Sequence, residues 1–309
     1  MSNLIELIRA KAWRLVYTPI FGWRYFKTEG ARKRLPVMDS IRTCSFIAEG
    51  SCSVSRFGDG EFQIISHWLS GGTKDNFVVD SFQEYDPDLA SRLSDVLSDK
   101  SDNLLVCIPY PFKDASVYSG YDRLFFKREY LARMNMLSGY IPKTGVWGDT
   151  DFTRFYLHRK DIPSFPDYIR SLKKIWDRKD VLIVEGEFSR LGVGNDLFDN
   201  AARIQRIICP SQNAYSSYNR ILDAVLNHAE GKLALLALGQ TASVLAYDLS
   251  RNGIRAIDLG HIDIEYEWYR MGAKEKVPVP NKYVNEVKSG RIKNASTDDE
   301  YSSQIIVKL

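Results

Sequence analysis

The chain has 309 residues, 44% of them hydrophobic, which is enough to bury the core of one large domain or two small ones. Its 42 basic and 39 acidic residues leave a formal charge of +3. This balance argues against a protein dedicated to DNA or RNA, because such proteins carry a marked excess of positive charge. We therefore expect one main domain and no nucleic-acid partner.

No segment approaches the roughly 20 apolar residues that cross a bilayer, and the N-terminus lacks the apolar run and cleavage site of a signal peptide. The four cysteines are far apart and form no C-x-x-C pair, so we expect buried free thiols in a reducing compartment. Together these features predict a cytoplasmic protein. The cysteines are Cys44, Cys52, Cys107 and Cys209.

Residues 1–39 differ in composition from the rest of the chain. Apolar residues at helical spacing share one face near the start, aromatic residues follow, and the segment ends with a basic run at residues 32–34. Such a segment suits a helix that contacts the inner face of the cell membrane through residues 1–34, or a helix packed on the rest of the protein. The apolar face comprises Leu4, Ile5, Ile8, Ala12, Leu15 and Val16, and the aromatic residues are Trp13, Tyr17, Phe21, Trp23, Tyr25 and Phe26.

From residue 40 to about residue 280, short apolar runs alternate with helix-like stretches, which is the pattern of an α/β protein. Because the runs are almost wholly apolar, we expect strands covered on both faces, as in a mainly parallel sheet with helices on either side. The clearest β-α-β unit begins with the run at 233–238 and continues through a helix that ends near residue 252. The predicted strands are residues 104–108, 181–184, 204–209, 233–238 and 254–259.

The first candidate motif lies just ahead of a helix-like stretch. In it Gly58 and Gly60 bracket Asp59, and Glu61 follows. Glycines permit a tight turn and the close approach of a ligand, and two nearby carboxylates suit Mg²⁺ or Mn²⁺. Arg56 adds a cation that can pair with a phosphate. The same letters also occur where an aspartate caps an ordinary helix.

A second, glycine-rich motif follows the predicted strand 181–184, at the strand end where parallel sheets bind ligands. Free backbone amides in such a loop can face a phosphate, and a basic side chain can neutralise it. The loop lacks the third glycine of the dinucleotide fingerprint, so an ordinary loop ending in a helix cap explains it equally well. The residues of the loop that could take part in such a site are Arg190, Gly194, Asn195 and Asp196.

The third motif is the strand-to-helix turn of the β-α-β unit, Gly239-Gln240-Thr241. Its backbone amides lie at the positive end of a helix, and the hydroxyl of Thr241 can donate to a phosphate. A plain helix cap is the competing interpretation of the same three residues.

The fourth motif, residues 258–268, concentrates charge. If it is extended, His261, Asp263, Glu265 and Glu267 form one row, because alternate residues of a strand share a face. Three carboxylates beside a histidine repel one another unless they are solvated, metal-bound or partly protonated, which favours a functional site. If the motif is helical, the row breaks up, although His261 and Glu265 remain neighbours.

The C-terminal segment, residues 281–309, is rich in lysine, serine and asparagine, and residues 285–300 have little apolar content. A segment of this composition cannot bury much apolar surface. The sequence therefore predicts a loosely ordered polar tail.

Taken in order, the four motifs resemble those of the GT-D-type glycosyltransferases, a family long known only as a domain of unknown function. The likeness covers about residues 40–275, and four motifs in one order are more specific than any one alone. It implies a Rossmann-like domain at about residues 40–280, a UDP-sugar donor such as UDP-glucose, a divalent metal, and work on surface adhesins or polysaccharide. Gln240 stands where the resemblance leads us to expect a proline.

The resemblance also implies a functional Asp-x-Glu motif, and both Asp59-Gly60-Glu61 and Asp263-Ile264-Glu265 fit that description. We assign the first stretch to Mn²⁺ or Mg²⁺ and to the donor diphosphate. Arg56 and Arg190 would share the charge of the diphosphate. The third motif would complete the nucleotide-sugar site, together with Gly58, Gly194, Asn195 and Asp196.

The acceptor hydroxyl is assigned to the fourth motif. One of Asp263, Glu265 and Glu267 would take its proton, and His261 would orient that carboxylate or touch the metal. The hypothesis is thus a hexosyltransferase that moves glucose from a UDP-sugar to a glycan or glycoprotein acceptor. The alternatives are a nucleotide-sugar or phosphoester hydrolase, with water as acceptor, and a non-catalytic nucleotide-binding scaffold docked at the membrane.

Overall fold

The computed structural model describes residues 19–77, 82–140, 145–296 and 298–309. The amphipathic helix expected between Leu4 and Val16 lies outside these ranges, as do Trp13 and Tyr17. None of the helices within them has the length and apolar character needed to cross a membrane. All four cysteines are buried and free, as the sequence predicts.

A parallel sheet forms the centre of the molecule. In the described part of the chain its strands are β1 Ser53–Arg56, β2 Leu104–Ile108, β3 Gly148–Asp149, β4 Asp180–Gly186, β5 Arg203–Cys209, β6 Leu233–Ala237, β7 Ala256–Asp258 and β8 Ile305–Lys308. They lie side by side in the order β3-β2-β1-β7-β6-β4-β5-β8, and each neighbouring pair is parallel. The predicted α/β fold with a parallel sheet is confirmed.

Helices follow most of the strands, and several begin at the cap that the sequence supplies. The carboxylates of Asp39 and Asp86 and the hydroxyl of Ser164 each accept a backbone N–H at a helix start. Residues 19–27 are helical as well. The other described helices are α1 Glu29–Lys33, α2 Ser40–Glu49, α3 Asp59–Leu69, α4 Pro87–Leu97, α5 Gly120–Ser138, α6 Phe165–Lys173, α7 Tyr218–His228, α8 Gln240–Arg251, α9 Ile262–Met271 and α10 Asp299–Gln304.

The core lies on both faces of the sheet. In β2, Leu104 and Val106 belong to one apolar cluster while Leu105 and Cys107 belong to the other, because successive side chains of a strand point to opposite faces. Helices α3, α4, α5, α7 and α8 cover the first face, and α2, α6 and α9 cover the second. This double cover explains why four of the predicted strands are nearly continuous apolar runs.

The connections diverge at the centre of the sheet. The chain leaves β1 and β6 for α3 and α8 on the first face, whereas it leaves β7, which lies between them, for α9 on the second face. The register pairs Val54 with Ile257 and Leu236 with Asp258, so the three strands end at similar levels. A crevice opens where neighbouring connections part in this way, and open α/β sheets bind their ligands there.

The C-terminal segment is more ordered than its composition predicts. β8 pairs with β5 as the outermost strand of the sheet, and Val284 is fully buried. The guanidinium groups of Arg190 and Arg206 lie over the ring of Tyr301, at 4.8 and 5.0 Å. The prediction of a loose tail is therefore wrong for these residues, because cation–π packing and a short apolar strand order a segment of low apolar content.

Candidate functional site

The first motif forms the start of α3, directly after β1. Glu61 is buried and accepts the backbone N–H of Gly58 at 2.7 Å, so that it caps the helix that contains it. Burial raises the pKa of Glu61 to about 7, against the hydrogen bond from Gly58, and the nearby carboxylates of Asp258 and Asp59 add to the rise. Asp59 is exposed in the first turn of the same helix. A carboxylate at the surface thus lies beside a buried one that lacks a cation.

The third motif meets the first at the start of α8. A Cβ added to Gly60 would overlap the side-chain amide of Gln240, and one added to Gly239 would overlap the ring of Phe82. Gly239 also has a φ of +56°, which favours glycine. The side-chain oxygen of Gln240 is buried without a hydrogen-bond partner. Thr241 is fully buried, and its hydroxyl donates to Gln83 at 3.2 Å, so it faces the protein interior.

Arg56 links the ends of β1 and β7. Its Nη1 donates to the carbonyl of Leu259 at 3.2 Å and to the hydroxyl of Thr153, and its Nε lies 3.7 Å from the carboxylate of Asp258 without a hydrogen bond. A side chain on Gly260, which has a φ of +47°, would overlap this guanidinium. Burial raises the pKa of Asp258 to about 6 against the influence of Arg56.

His261 extends this arrangement towards the C-terminal segment. Nη2 of Arg154 lies 3.0 Å from Nδ1 of His261 and 2.8 Å from the carboxylate of Glu286. Glu286 acts to raise the pKa of His261, but loss of solvent and the cations of Arg154, Arg56 and Lys276 together lower it. A neutral ring that accepts from Arg154 at Nδ1 carries its proton on Nε2.

We call this group the central edge cluster. Seven buried side-chain polar atoms of the described ranges have no hydrogen-bond partner, and three of them belong to this cluster: Nε of Arg56, Oε1 of Gln240 and Oε2 of Glu286. Because buried polar atoms are nearly always satisfied, three orphans along one crevice indicate a missing polar ligand. The cluster comprises Arg56, Asp59, Glu61, Arg154, Gln240, Asp258, His261 and Glu286.

The fourth motif is a helix and not a strand, so the expected row of charges does not form. His261 is the N-cap of α9. The alternation of apolar residues arises because the helix is covered on two sides: Ile262 and Tyr266 pack in the core of the second face, and Ile264 and Trp268 pack in a separate cluster. Both are i,i+4 pairs, which a helix places on one side.

The three carboxylates of α9 make contacts that hold the structure together. Glu265 accepts the backbone N–H groups of Tyr156 and Leu157 at 3.1 and 3.3 Å. Burial raises its pKa to about 7 against the nearby Arg154. The side chains of Asp263 and Glu265 are about fully buried and that of Glu267 is 12% exposed, whereas that of His261 is 34% exposed. Of this motif, His261 is the residue most open to a substrate.

A second polar group, which we call the clamp, consists of Asn195, Asp263, Glu267 and Lys282. Nδ2 of Asn195 donates to both Asp263 and Glu267 at 2.7 Å. Nζ of Lys282 lies 2.6 Å from Asp263 and 3.1 Å from Glu267. Asp263 also accepts the N–H of Gly192 at 2.9 Å. The clamp ties the loop after β4 and the C-terminal segment to α9.

The remaining candidates of the second motif share this position beside the clamp. Arg190 donates to the carbonyl of Ser296 at 2.9 Å, and the carbonyl of Gly194 accepts from Arg270 at 3.0 Å. Asp196 accepts from Lys173 and Tyr266, which lower its pKa to about 2. The structure therefore brings the first and third motifs and His261 together, while the second motif binds the rest of α9.

The residues present suit a divalent cation only together with a ligand. No group of three or more His, Cys, Asp or Glu side chains placed to hold a metal occurs in the described part of the chain. Mg²⁺ and Mn²⁺ that bind to phosphates need only one or two protein carboxylates. Asp59 is exposed and makes no hydrogen bond to another described side chain, whereas Glu61 is buried and accepts the N–H of Gly58.

Three members of the central edge cluster escaped the sequence prediction. Asp258 carried a signal, because it ends a predicted strand at the edge where ligands bind. Arg154 follows the two-residue strand β3, which is too short to recognise. Glu286 lies in the segment expected to be loose, and only the fold brings it to within 2.8 Å of Arg154.

Comparison with known proteins shows related sequences. The family model of the glycosyltransferase GT-D fold matches residues 54–287. The chain is 38% identical over 284 residues to a probable glycosyl transferase, Gly, of Streptococcus gordonii, and 36% identical over 269 residues to the glycosyltransferase GlyD of Streptococcus pneumoniae serotype 4. These alignments cover 91% and 86% of the chain but only 40% and 32% of the two relatives.

Solved structures are similar over nearly their whole length. One, described as domain of unknown function 1792 with a distinct glycosyltransferase fold, is 37% identical with a TM-score of 0.82, and 92% of this chain and 99% of that chain are covered. Another, described as a new glycosyltransferase of Streptococcus sanguinis, is 38% identical with a TM-score of 0.79, and 89% and 100% are covered.

Proposed function

Because the chain belongs to the glycosyltransferase GT-D family, we propose that it transfers a hexose from a UDP-sugar to a glycan or glycoprotein acceptor at the central edge cluster. The observation that carries this proposal is the set of three buried orphan atoms, on Arg56, Gln240 and Glu286, along the crevice where α3 and α8 part from α9. A ligand with many polar atoms, such as a nucleotide sugar, would satisfy them.

The donor diphosphate fits between the starts of α3 and α8. Both helices direct free backbone N–H groups to this edge, and helix starts attract anions. Gly58, at the start of α3, is partly exposed, so phosphate oxygens could approach the backbone there, while Gly60 and Gly239 make room for Gln240 and Phe82. Arg56, fixed by Thr153 and Leu259, adds a positive charge beside the same edge.

Asp59 and Glu61 would hold Mn²⁺ or Mg²⁺ against the diphosphate. Bound there, the cation would neutralise the charge that develops on the departing nucleotide. Glu61 keeps one oxygen for the N–H of Gly58, which fixes the carboxylate in place. Asp59 stands exposed on the first turn of the same helix.

On the acceptor side, the contacts favour His261 over the three carboxylates of α9. Asp263 and Glu267 are neutralised by Lys282, and Glu265 is occupied by two backbone N–H groups. His261 is held by Arg154 and is partly open to solvent. With its proton on Nε2, it would hold an acceptor hydroxyl by a hydrogen bond and orient it towards the sugar, and the proton that this hydroxyl loses would pass to the departing diphosphate.

The decisive experiment is a panel of nucleotide sugars, with and without Mn²⁺, assayed for release of the nucleotide diphosphate and for sugar on the acceptor. We expect metal-dependent transfer that Asp59→Asn reduces about 10²-fold or more, as is typical when one group that stabilises developing charge is lost. Asp75→Asn, an exposed aspartate in another loop, is the matched control. Unchanged turnover in Asp59→Asn would contradict the assignment, and donor consumption without a glycosylated product would favour the hydrolase.

A further inference from the structure

A cleft outside the central edge cluster lies between the helical stretch 19–27, α1 and α5. Its volume is about 600 Å³. Tyr110, one of its lining residues, follows closely on the end of β2, so the cleft opens at the same carboxyl edge of the sheet as the central edge cluster. Nothing in the proposed sugar transfer uses it.

The lining of this cleft is strongly basic. The lining also contains two carboxylates. Glu29 forms an ion pair with Lys33 at 2.6 Å, and Asp114 accepts a hydrogen bond from the N–H of Ser116 at 2.9 Å. Of the five cations only Lys33 is paired; the other four form no ion pair with a carboxylate among the described residues. The five basic side chains are Arg32, Lys33, Lys113, Arg123 and Lys127.

Among these side chains, Arg32 gives the strongest indication of an anion site. It is only 7% exposed, and its hydrogen bonds go to neutral oxygens, those of Tyr25 at 3.3 Å, Lys113 at 2.7 Å and Thr28 at 3.2 Å. Its guanidinium lies 3.5 Å above the ring of Tyr25. No carboxylate of the described residues forms an ion pair with Arg32. Burying a charge without such a partner is costly, and an anion in the cleft would offset that cost.

Lys127 faces the same space. Its Nζ is 5.3 Å from the ring of Tyr25. Burial and then the like charges of Arg123 and Arg32 lower the pKa of Lys127. The fold therefore holds three cations close together, an arrangement that repels itself until an anion enters.

An apolar surface adjoins the cleft. Ile20, Trp23 and Phe26 follow one another at a spacing of three, so they share a face of the helix, and they are 46%, 59% and 68% exposed. Phe26 also lines the cleft. Exposed aromatic side chains beside a basic surface are typical of helices that lie in the interface of an anionic membrane.

We propose that the cleft binds the phosphate headgroup of an anionic membrane lipid while Trp23 and Phe26 enter the lipid interface. The basic lining supplies the phosphate ligands, and the exposed apolar face distinguishes a lipid from a soluble phosphate. Docked in this way, the carboxyl edge of the sheet, with the central edge cluster, is turned towards the membrane. The binding stands independently of the sugar transfer.

Sedimentation of the chain with vesicles tests this proposal. We expect binding to phosphatidylcholine vesicles that contain phosphatidylglycerol and little binding to phosphatidylcholine alone. The double variant Arg123→Gln/Lys127→Gln should bind about 30-fold more weakly, because each cation near an anionic surface contributes roughly fivefold. The matched control Lys100→Gln/Arg203→Gln removes the same charge from exposed positions at the opposite edge of the sheet, before β2 and at the start of β5.

Two further experiments test whether the apolar face contributes to binding and whether the phosphate belongs to a lipid or is free in solution. Trp23→Ser/Phe26→Ser should weaken vesicle binding while it leaves the thermal midpoint unchanged, because both side chains are exposed. Calorimetry with inorganic phosphate should show weak binding at most. Equal binding of the cleft variant and its control, no binding of the unmodified chain to the anionic vesicles, or tight binding of inorganic phosphate without vesicle binding would each overturn the proposal.

Discussion

Two polar regions at the carboxyl edge of the sheet differ in how fully their atoms are satisfied. In the central edge cluster, Arg56, Gln240 and Glu286 each bury a polar atom without a partner. In the clamp, Lys282 and Asn195 serve both Asp263 and Glu267, and none of these four side chains buries an unpaired polar atom in the described ranges. A concentration of charge in the sequence can therefore mark either a ligand site or a structural tie, and these two groups differ by three unsatisfied atoms against none. Nε of Arg190, in the loop after β4, is a further buried atom without a partner among the described residues.

Loss of the clamp cation should give the largest effect. Lys282→Met leaves the buried carboxylate of Asp263 without its cation and leaves Glu267 with Arg270 alone, at 3.5 Å, and breaking a buried pair in this way costs about 3–5 kcal/mol. We expect a fall of that size in the free energy of unfolding, measured with denaturant. Lys308→Met, which removes an exposed partner of Glu187, should change it by about 1 kcal/mol or less. If Lys282→Met kept its stability and lost donor binding instead, the clamp would be a ligand site.

His261 should show the opposite behaviour. His261→Gln is expected to lower turnover by about 10²-fold, the lower end of the range for a group that aids proton transfer or orientation. The thermal midpoint should hardly move, because the side chain is 34% exposed and, among the described residues, its ring hydrogen-bonds to Arg154 alone. A destabilised variant with full activity per folded molecule would assign His261 to structure.

The pH dependence of stability distinguishes a structural role of Glu265 from a catalytic one. Its pKa of about 7 in the folded protein is above the ordinary value of 4.5, so the stability it contributes is fully present below about pH 4.5 and is lost as the pH rises through 7. At about 1.4 kcal/mol per pKa unit, the loss reaches roughly 3 kcal/mol.

Glu265→Gln should abolish that part of the pH dependence. We expect the variant to gain on the unmodified chain, in free energy of unfolding, between pH 5 and pH 8, while the exposed Glu230→Gln follows the unmodified chain. A variant with an unchanged stability profile but a shifted pH–rate profile would place Glu265 in the central edge cluster.

Gln240 should give the smallest change in stability. Gln240→Met removes an unpaired buried oxygen at little change in volume, so the free energy of unfolding should stay the same or rise by up to about 1 kcal/mol. Donor affinity, measured by calorimetry, should fall because a polar contact is lost. A marked loss of stability would show that Gln240 has a structural partner.

The fold was predictable where the strands are apolar on both faces. The runs that became β2, β4, β5 and β6 are buried between two helical layers, so their composition identifies them. β1 alternates serine with other residues, and β3 has two residues, so neither has a recognisable run. β8 follows a polar segment whose order depends on contacts made by distant arginines.

The candidate site was predictable only in part. Arg56, Asp59 and Gln240 stand at strand-to-helix turns, so position in the β-α-β pattern is enough to place them at one edge. The α9 motif misled because a helix buried on two sides shows the same apolar alternation as a strand. Arg154 and Glu286 meet through a contact 132 residues apart in sequence, which no local pattern encodes.

A crystal structure of the chain with UDP and Mn²⁺ tests the central claim most directly. We predict that the diphosphate lies between Arg56, Asp59 and the start of α8, with the cation on the carboxylates of Asp59 and Glu61. A diphosphate bound instead at the loop after β4, against Arg190 and Asn195, would contradict the account and assign donor binding to the side of the clamp.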